Sequence, residues 1–247
     1  MIGVDGLLPS EVRETVWKQI DVYQNAELIK EAIVDIHRGK NGLFLITGNN
    51  GTKLETEKVI LALGYQDLYP DVSRFLECWG KSIINCPYCD GFENKNRVWS
   101  FVPGSVKELN SFPKSHLTNL IVFLPTDMEI DEVYRQELIA LGIEIHEGSI
   151  TAIRHTGGKI DFVKLDTGSD IQIGTLLWIE PSPLLNNLVE NLGLNLDEAA
   201  QVVTDENNHT NVSGIWAAGE VRQCCSNALD SATDGSKTAK SVIFNWY

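Results

Sequence analysis

The chain is short of positive charge. Its 247 residues carry 20 lysines and arginines against 34 aspartates and glutamates, a net charge of −14. That balance excludes nucleic acid and an anionic membrane surface as partners, since both need a basic footprint. It also works against a large anionic cofactor unless backbone amides or helix ends offset it. Long apolar runs are missing too. No stretch approaches the ~18 residues that span a bilayer, and no basic segment leads into an apolar run at the N-terminus. The expected compartment is the cytoplasm. Five cysteines are too few for a disulfide scaffold, so a close pair in a reducing compartment points to catalysis or metal binding. The dinucleotide fingerprint G-x-G-x-x-G occurs nowhere. Where an inner βαβ unit would carry it, "SFVPGSVKEL" offers only Gly104, and "FLPTDMEIDE" is acidic where a 2′-phosphate needs cations. NADPH is therefore not expected as electron donor.

What is present describes an ordinary globular chain, 43% hydrophobic and 22% charged, long enough for one large domain or two modest ones. "PSEVRETVWKQIDVYQ" has helical spacing of Val12, Val16, Ile20 and Tyr23, with Ser10 as the expected cap. Residues 33 to 60 alternate as short strands with a turn at Asn50-Gly51, and "KVILALG" suits a strand buried on both faces. "RVWSFVPGS", "NLIVFLP" and "IEIHEG" form strands separated by helices at "VKELNSF" and "DEVYRQELIALG", the alternation of a parallel, doubly wound unit. Hairpins return over 148–178, with turns at Gly157-Gly158 and near Gly168. A helix at "LLNNLVENLGLNLDE", a strand at "GIWAAGE" and a final helix from "SNALD" complete the chain.

The chemistry-bearing feature is "INCPYCDGFE", residues 83–92. Cys86 and Cys89 have the spacing that lets two thiols face each other across one turn, and such a turn can favour a nucleophilic thiolate. Redox exchange is the leading reading, ahead of structural thiols and of half a metal site. A metal site needs two more ligands. Cys224 and Cys225 are adjacent, which is poor zinc geometry, and no histidine pair sits at ligand spacing. Asp90 is a candidate proton donor or acceptor for the exchange, with a solvated loop carboxylate as the alternative. Cys78, beside Trp79, is expected as a packed core thiol.

"WGKSIINCPYCDGFE" followed downstream by "TNVSGIWAAGEV" resembles the low-molecular-weight thioredoxin reductase family of flavoproteins, and its ferredoxin- or flavin-linked and dithiol-oxidase relatives. "KVILALGYQDLYPDV" and "VVTDENNHTNVSGIWAAGEV" look like the family's crossings out of and back into its flavin domain. The resemblance implies an α/β protein of two lobes. An FAD-domain-like lobe (1–82 and 182–247), lacking its first βαβ unit, is interrupted by a nicotinamide-domain-like βαβαβ lobe (83–181). It implies that Cys86 attacks the substrate disulfide, that Cys89 lies nearer the flavin, and that Asp90 is the acid/base carboxylate. Gly219 and Glu220 match the flavin-binding segment, with Glu220 in place of the family's Asp. FAD is the implied cofactor, and the family's Gly-rich opening would fall upstream of Met1, so a partner chain or an altered flavin mode is expected. Implied partners are a disulfide-containing protein or small-molecule dithiol, ferredoxin or another flavin as donor, and a second copy in a homodimer. The rival expectation is a non-catalytic binding or regulatory protein that keeps the fold without cofactor.

Overall fold

The computed structural model describes residues 3–64, 68–103, 120–179, 187–222 and 227–245. The chain divides into two compact units, one of residues 67–181 and one of 1–66 with 182–247. The first crossing thus precedes the expected boundary at 82/83. Phe75 and Cys78 are buried in the core of the 67–181 unit, and Ser73 bridges to Ala152 there, so this segment belongs with the inserted unit.

That unit is built on a five-stranded parallel sheet. Its strands are β5 (Ile83–Ile84), β6 (Trp99–Val102), β7 (Leu120–Leu124), β8 (Glu144–Glu147) and β12 (Thr175–Trp178), in the order β5-β12-β6-β7-β8. β7 is buried at all five positions, as an apolar run must be when both faces of a parallel sheet are covered. The pleat sorts its residues. Ile121 and Phe123 join Ile83 and Leu176 on one face, while Leu120, Val122 and Leu124 join Ile84, Trp99, Phe101 and Leu177 on the other. The second face also takes Leu138 from α4 (Glu132–Ala140), which Asp131 caps by accepting from the Tyr134 amide at 2.8 Å. The first face packs on an antiparallel sheet of β9 (Ile150–Thr156), β10 (Lys159–Leu165) and β11 (Asp170–Gln172), whose Ile153, Ile160, Val163 and Leu165 are buried. Two short helices, α2 (Phe75–Cys78) and α3 (Gly91–Asn94), flank β5 in sequence. The expected helix at "VKELNSF" and Gly104 lie outside the described residues.

The other unit holds α1 (Pro9–Ile20), a three-stranded antiparallel sheet of β1 (Ile33–Arg38), β2 (Phe44–Gly48) and β3 (Lys53–Thr56), and a parallel pair of β4 (Val59–Leu61) and β13 (Ile215–Ala217). It also holds α5 (Asn187–Asn191) and α6 (Ala228–Phe244). Three local expectations change. The Glu11 carboxylate accepts from the Leu8 amide at 2.7 Å with Pro9 opening the helix, so Ser10 lies inside α1 rather than capping it. The β2–β3 connection spans residues 49–52 and only Gly51 takes positive φ (+93°), because the Asn50 amide is held by the Glu31 carboxylate. β4 buries Val59 and Leu61 but exposes Ile60, since among the described residues its sheet has two strands and one covered face.

Leu177 sits fully buried in β12 between β5 and β6. Leu177→Ala is expected to cost about 2–5 kcal/mol through lost burial and the cavity left behind, measured as a lower urea midpoint at unchanged slope.

Candidate functional site

β5 ends at Ile84 and the chain turns at once into the cysteine loop. Cys86 and Cys89 are joined by a disulfide with Cα atoms 5.3 Å apart, an ordinary separation for such a bond. The Cys89 amide donates to Cys86 Sγ at 3.1 Å, and the Asp90 amide donates to the Cys86 carbonyl at 3.3 Å. Cys86 is half-buried and Cys89 exposed, and the neighbouring Tyr88 and Phe92 are 80% and 76% exposed. The pair is thus reachable from solvent.

Asp90 is half-buried at the N-cap of α3, yet its carboxylate makes no capping bond to that helix. Burial pushes its carboxyl up from the ordinary value, and the like charge of Glu93 adds to the shift. A carboxyl that resists ionisation and is not consumed by a cap is suited to give and take protons.

One residue at this site carried no signal in the sequence. Asn94, only 3% exposed, donates from Nδ2 to the Asp90 carbonyl at 2.9 Å and accepts at Oδ1 from the Thr175 hydroxyl at 2.9 Å. Its own carbonyl accepts from the Trp99 indole at 3.0 Å. The end of the cysteine loop is therefore bonded to two strands of the parallel sheet. Asparagine in the polar run 93–97 reads as surface, and only β12, distant in sequence, gives its Oδ1 a partner.

Gly219 and Glu220 lie in the other unit, at the carboxyl ends of the parallel strands β4 and β13. Gly219 has φ +76° and opens a 3₁₀ turn over Gly219–Val221. Its amide donates to Asp234 Oδ2 at 2.9 Å. Asp234 Oδ1 accepts from Arg222 at 2.6 Å and from Asn208 Nδ2 at 2.9 Å, a buried network on α6 that the sequence pattern did not reveal. Glu220 is half-buried, has no hydrogen-bond partner among the described residues, and faces Gly64, whose missing Cβ would sit 3.9 Å from Oε2. A free carboxylate against bare glycine backbone at parallel strand ends fits the hydroxyl-rich chain of a flavin cofactor. The Gly219 amide is already engaged.

A cavity of about 640 Å³ opens at the carboxyl ends of β6, β7 and β12, the usual ligand crevice of a parallel sheet. Trp178, Phe123 and Met128 line it together with Asp71, Asp127 and Glu129, and no lysine, arginine or histidine is among its described walls.

Cys78 is fully buried, and burial pushes its thiol up, as suits an inert core residue. His155, 6% exposed, pairs with Glu77 at 3.0 Å in a structural contact. Cys224 and Cys225 lie outside the described residues, and among those described no cluster of three or more His, Cys, Asp or Glu could hold a metal.

Raising the folded carboxyl of Asp90 means that its charge costs stability above that value, a cost absent below the unfolded value of ~3.9. Asp90→Asn is therefore expected to unfold at a higher temperature than the parent near neutral pH, with the difference closing as pH falls through the carboxylate range. Thermal midpoints of the two oxidised proteins across pH check this.

The model of the pyridine nucleotide-disulphide oxidoreductase family matches residues 116–239, half of the chain. The thioredoxin reductase sirT of Leptosphaeria maculans is 27% identical over 86% of this chain and 70% of its own length. The thioredoxin reductase tcpT of Claviceps purpurea is 27% identical over 88% of this chain and 72% of its own length. The crystal structure of the putative thioredoxin reductase TrxB of Bacillus anthracis superposes with a TM-score of 0.91 at 26% identity, covering all of this chain and 83% of that one. The chain belongs to the pyridine nucleotide-disulphide oxidoreductases, among the thioredoxin reductase-like flavoproteins.

Proposed function

We propose that the protein is a flavin-linked thiol/disulfide oxidoreductase that works through Cys86 and Cys89 without NADPH. The observation that carries this reading is the reachable Cys86–Cys89 disulfide with an uncommitted, proton-holding carboxyl beside it in sequence at Asp90.

In the reducing direction, the Cys86 thiolate attacks one sulfur of a substrate disulfide and forms a mixed disulfide. The first substrate thiolate leaves and takes a proton from Asp90. The Cys89 thiolate then attacks Cys86 Sγ, releasing the second substrate thiolate and closing the Cys86–Cys89 bond. Two electrons pass to the substrate, and the reverse order oxidises a dithiol. The Cys89 amide, which donates to Cys86 Sγ, is in place to hold negative charge on that sulfur. Asp90, freed of capping duty, supplies and recovers the proton.

Glu220 would hold the hydroxyl chain of FAD against Gly64 and Gly219, leaving the flavin to supply a two-electron store for the dithiol. The acidic walls of the sheet-end crevice disfavour the phosphates of NADPH, which supports ferredoxin, another flavin or a dithiol as the exchanging donor. The reading includes a protein disulfide or small dithiol as substrate, a homodimer, and the cytoplasm as compartment. No helix among the described residues is long and apolar enough to cross a membrane.

Cys86→Ser is expected to abolish exchange with a small aromatic disulfide. Cys89→Ser should instead accumulate the mixed disulfide, visible as a mass increase, and Asp90→Asn should slow exchange about 10²-fold. A Cys86→Ser protein that exchanges at the parent rate sinks the assignment. Purified protein titrated with FAD is expected to gain the flavin absorption band. NADPH added anaerobically should leave that band unbleached, whereas a dithiol should bleach it. Failure to bind flavin would favour the cofactor-free regulatory reading.

A further inference from the structure

We infer that Asn94 is a positioning residue that sets the redox equilibrium of the Cys86/Cys89 pair by bonding the end of the cysteine loop to the parallel sheet. This rests on the exchange function proposed above and names a determinant that lies outside the Cys-x-x-Cys-Asp motif.

Asn94 is nearly free of solvent, and its two side-chain atoms join elements that sequence separates widely. Nδ2 donates to the Asp90 carbonyl at 2.9 Å, while Oδ1 accepts from the Thr175 hydroxyl at 2.9 Å. Thr175 is fully buried in β12, and its own carbonyl accepts from the Ser100 hydroxyl on β6 at 2.9 Å. The Asn94 carbonyl takes the Trp99 indole N–H at 3.0 Å and the Arg97 amide at 3.0 Å. The residue is therefore bonded to the parallel sheet at two points, Thr175 of β12 and Trp99 of β6, and to the local turn at Arg97, and from there it holds the Asp90 carbonyl.

The Asp90 peptide is the closing link of the loop. Its amide donates to the Cys86 carbonyl at 3.3 Å, which folds residues 86–90 into the turn that brings the two sulfurs together. Asn94 holds the far side of the same residue. A bond that favours this turn favours the state in which the sulfurs are joined, because the reduced thiols need not stay in contact and the turn can relax. Coupling is reciprocal: if the disulfide strengthens the Asn94–Asp90 bond, that bond stabilises the disulfide by the same factor. Deleting the amide group should make the dithiol harder to oxidise. The oxidation itself takes two electrons and two protons from the pair and delivers them to the oxidant, here cyclic oxidised dithiothreitol, which opens to its dithiol.

The test equilibrates the full chain with graded ratios of reduced and oxidised dithiothreitol, traps free thiols by alkylation and counts them by mass. Asn94→Ala is expected to lower the equilibrium constant for Cys86–Cys89 closure about tenfold, a shift of about 30 mV to less negative potential. Thr175→Val, which keeps Nδ2 but removes the hydroxyl that orients it, should shift the constant the same way by less. Thermal midpoints provide the second readout: a redox role lowers the oxidised form's midpoint more than the reduced form's. Equal loss in both forms with an unchanged equilibrium constant would overturn the inference and leave Asn94 a purely structural residue. If Asn94→Ala does not fold, an unshifted constant in Thr175→Val overturns it instead. A parent protein that never closes the disulfide at any ratio overturns the exchange function itself, and this role with it.

Discussion

The inserted unit depends on one late event in the chain, the seating of β12 between β5 and β6. Until those four residues arrive, the two strands that flank them have exposed ladder edges, and neither face of the sheet is complete. β12 places Leu176 in one hydrophobic core and Leu177 in the other. It also brings Thr175 to Asn94 across 81 positions of sequence. A contact of that range must offset its loop-closure entropy, so the anchor of the cysteine loop depends on the paired sheet rather than on local sequence. The site is local in sequence but not in its support.

Charge is distributed with a similar division of roles. Most of the acidic excess is solvated, but some carboxylates are held where burial or neighbours change their behaviour. Asp234 is buried and takes three donors, from Gly219, Asn208 and Arg222, so that a charge that would be costly alone becomes the clamp on a turn. Asp90 is half-buried with no donor to its carboxylate among the described residues, and burial with the nearby Glu93 charge makes it keep its proton longer. Asp71, Asp127 and Glu129 face a crevice and give it a negative wall. The same carboxylate chemistry thus gives a structural clamp at Asp234, a carboxyl that holds its proton longer at Asp90 and a negative wall at the crevice, according to the donors and burial around it.

Much of the architecture was legible because it rests on local periodicity. The five-residue apolar run of β7, the helical pattern of α4 with Asp131 before it, and the Gly157-Gly158 turn between β9 and β10 follow from their own sequences. The Cys-x-x-Cys spacing likewise brought two sulfurs within bonding reach. Other features were illegible for identifiable reasons. The final helix was expected, but α6 buries Asp234, Thr238 and Ser241 along one stripe, and a polar stripe gives no hydrophobic period by which to read the buried face. The first crossing between units lies before α2, whose Phe75 and Cys78 are core residues of the inserted unit. No change of composition marks that point.

The sequence by itself determined the chemistry available: two thiols at disulfide spacing, a carboxyl immediately after them, and no G-x-G-x-x-G run. It could do so because those properties depend on residue identity and on separations of a few positions. Tertiary structure decided how that chemistry is held and tuned. Burial raises the Asp90 carboxyl, the sheet anchors Asn94, and Asp234 claims the Gly219 amide beside Glu220, which has no partner among the described residues. Each of these depends on which distant groups share a low-dielectric neighbourhood, and that is fixed only when the strands have paired.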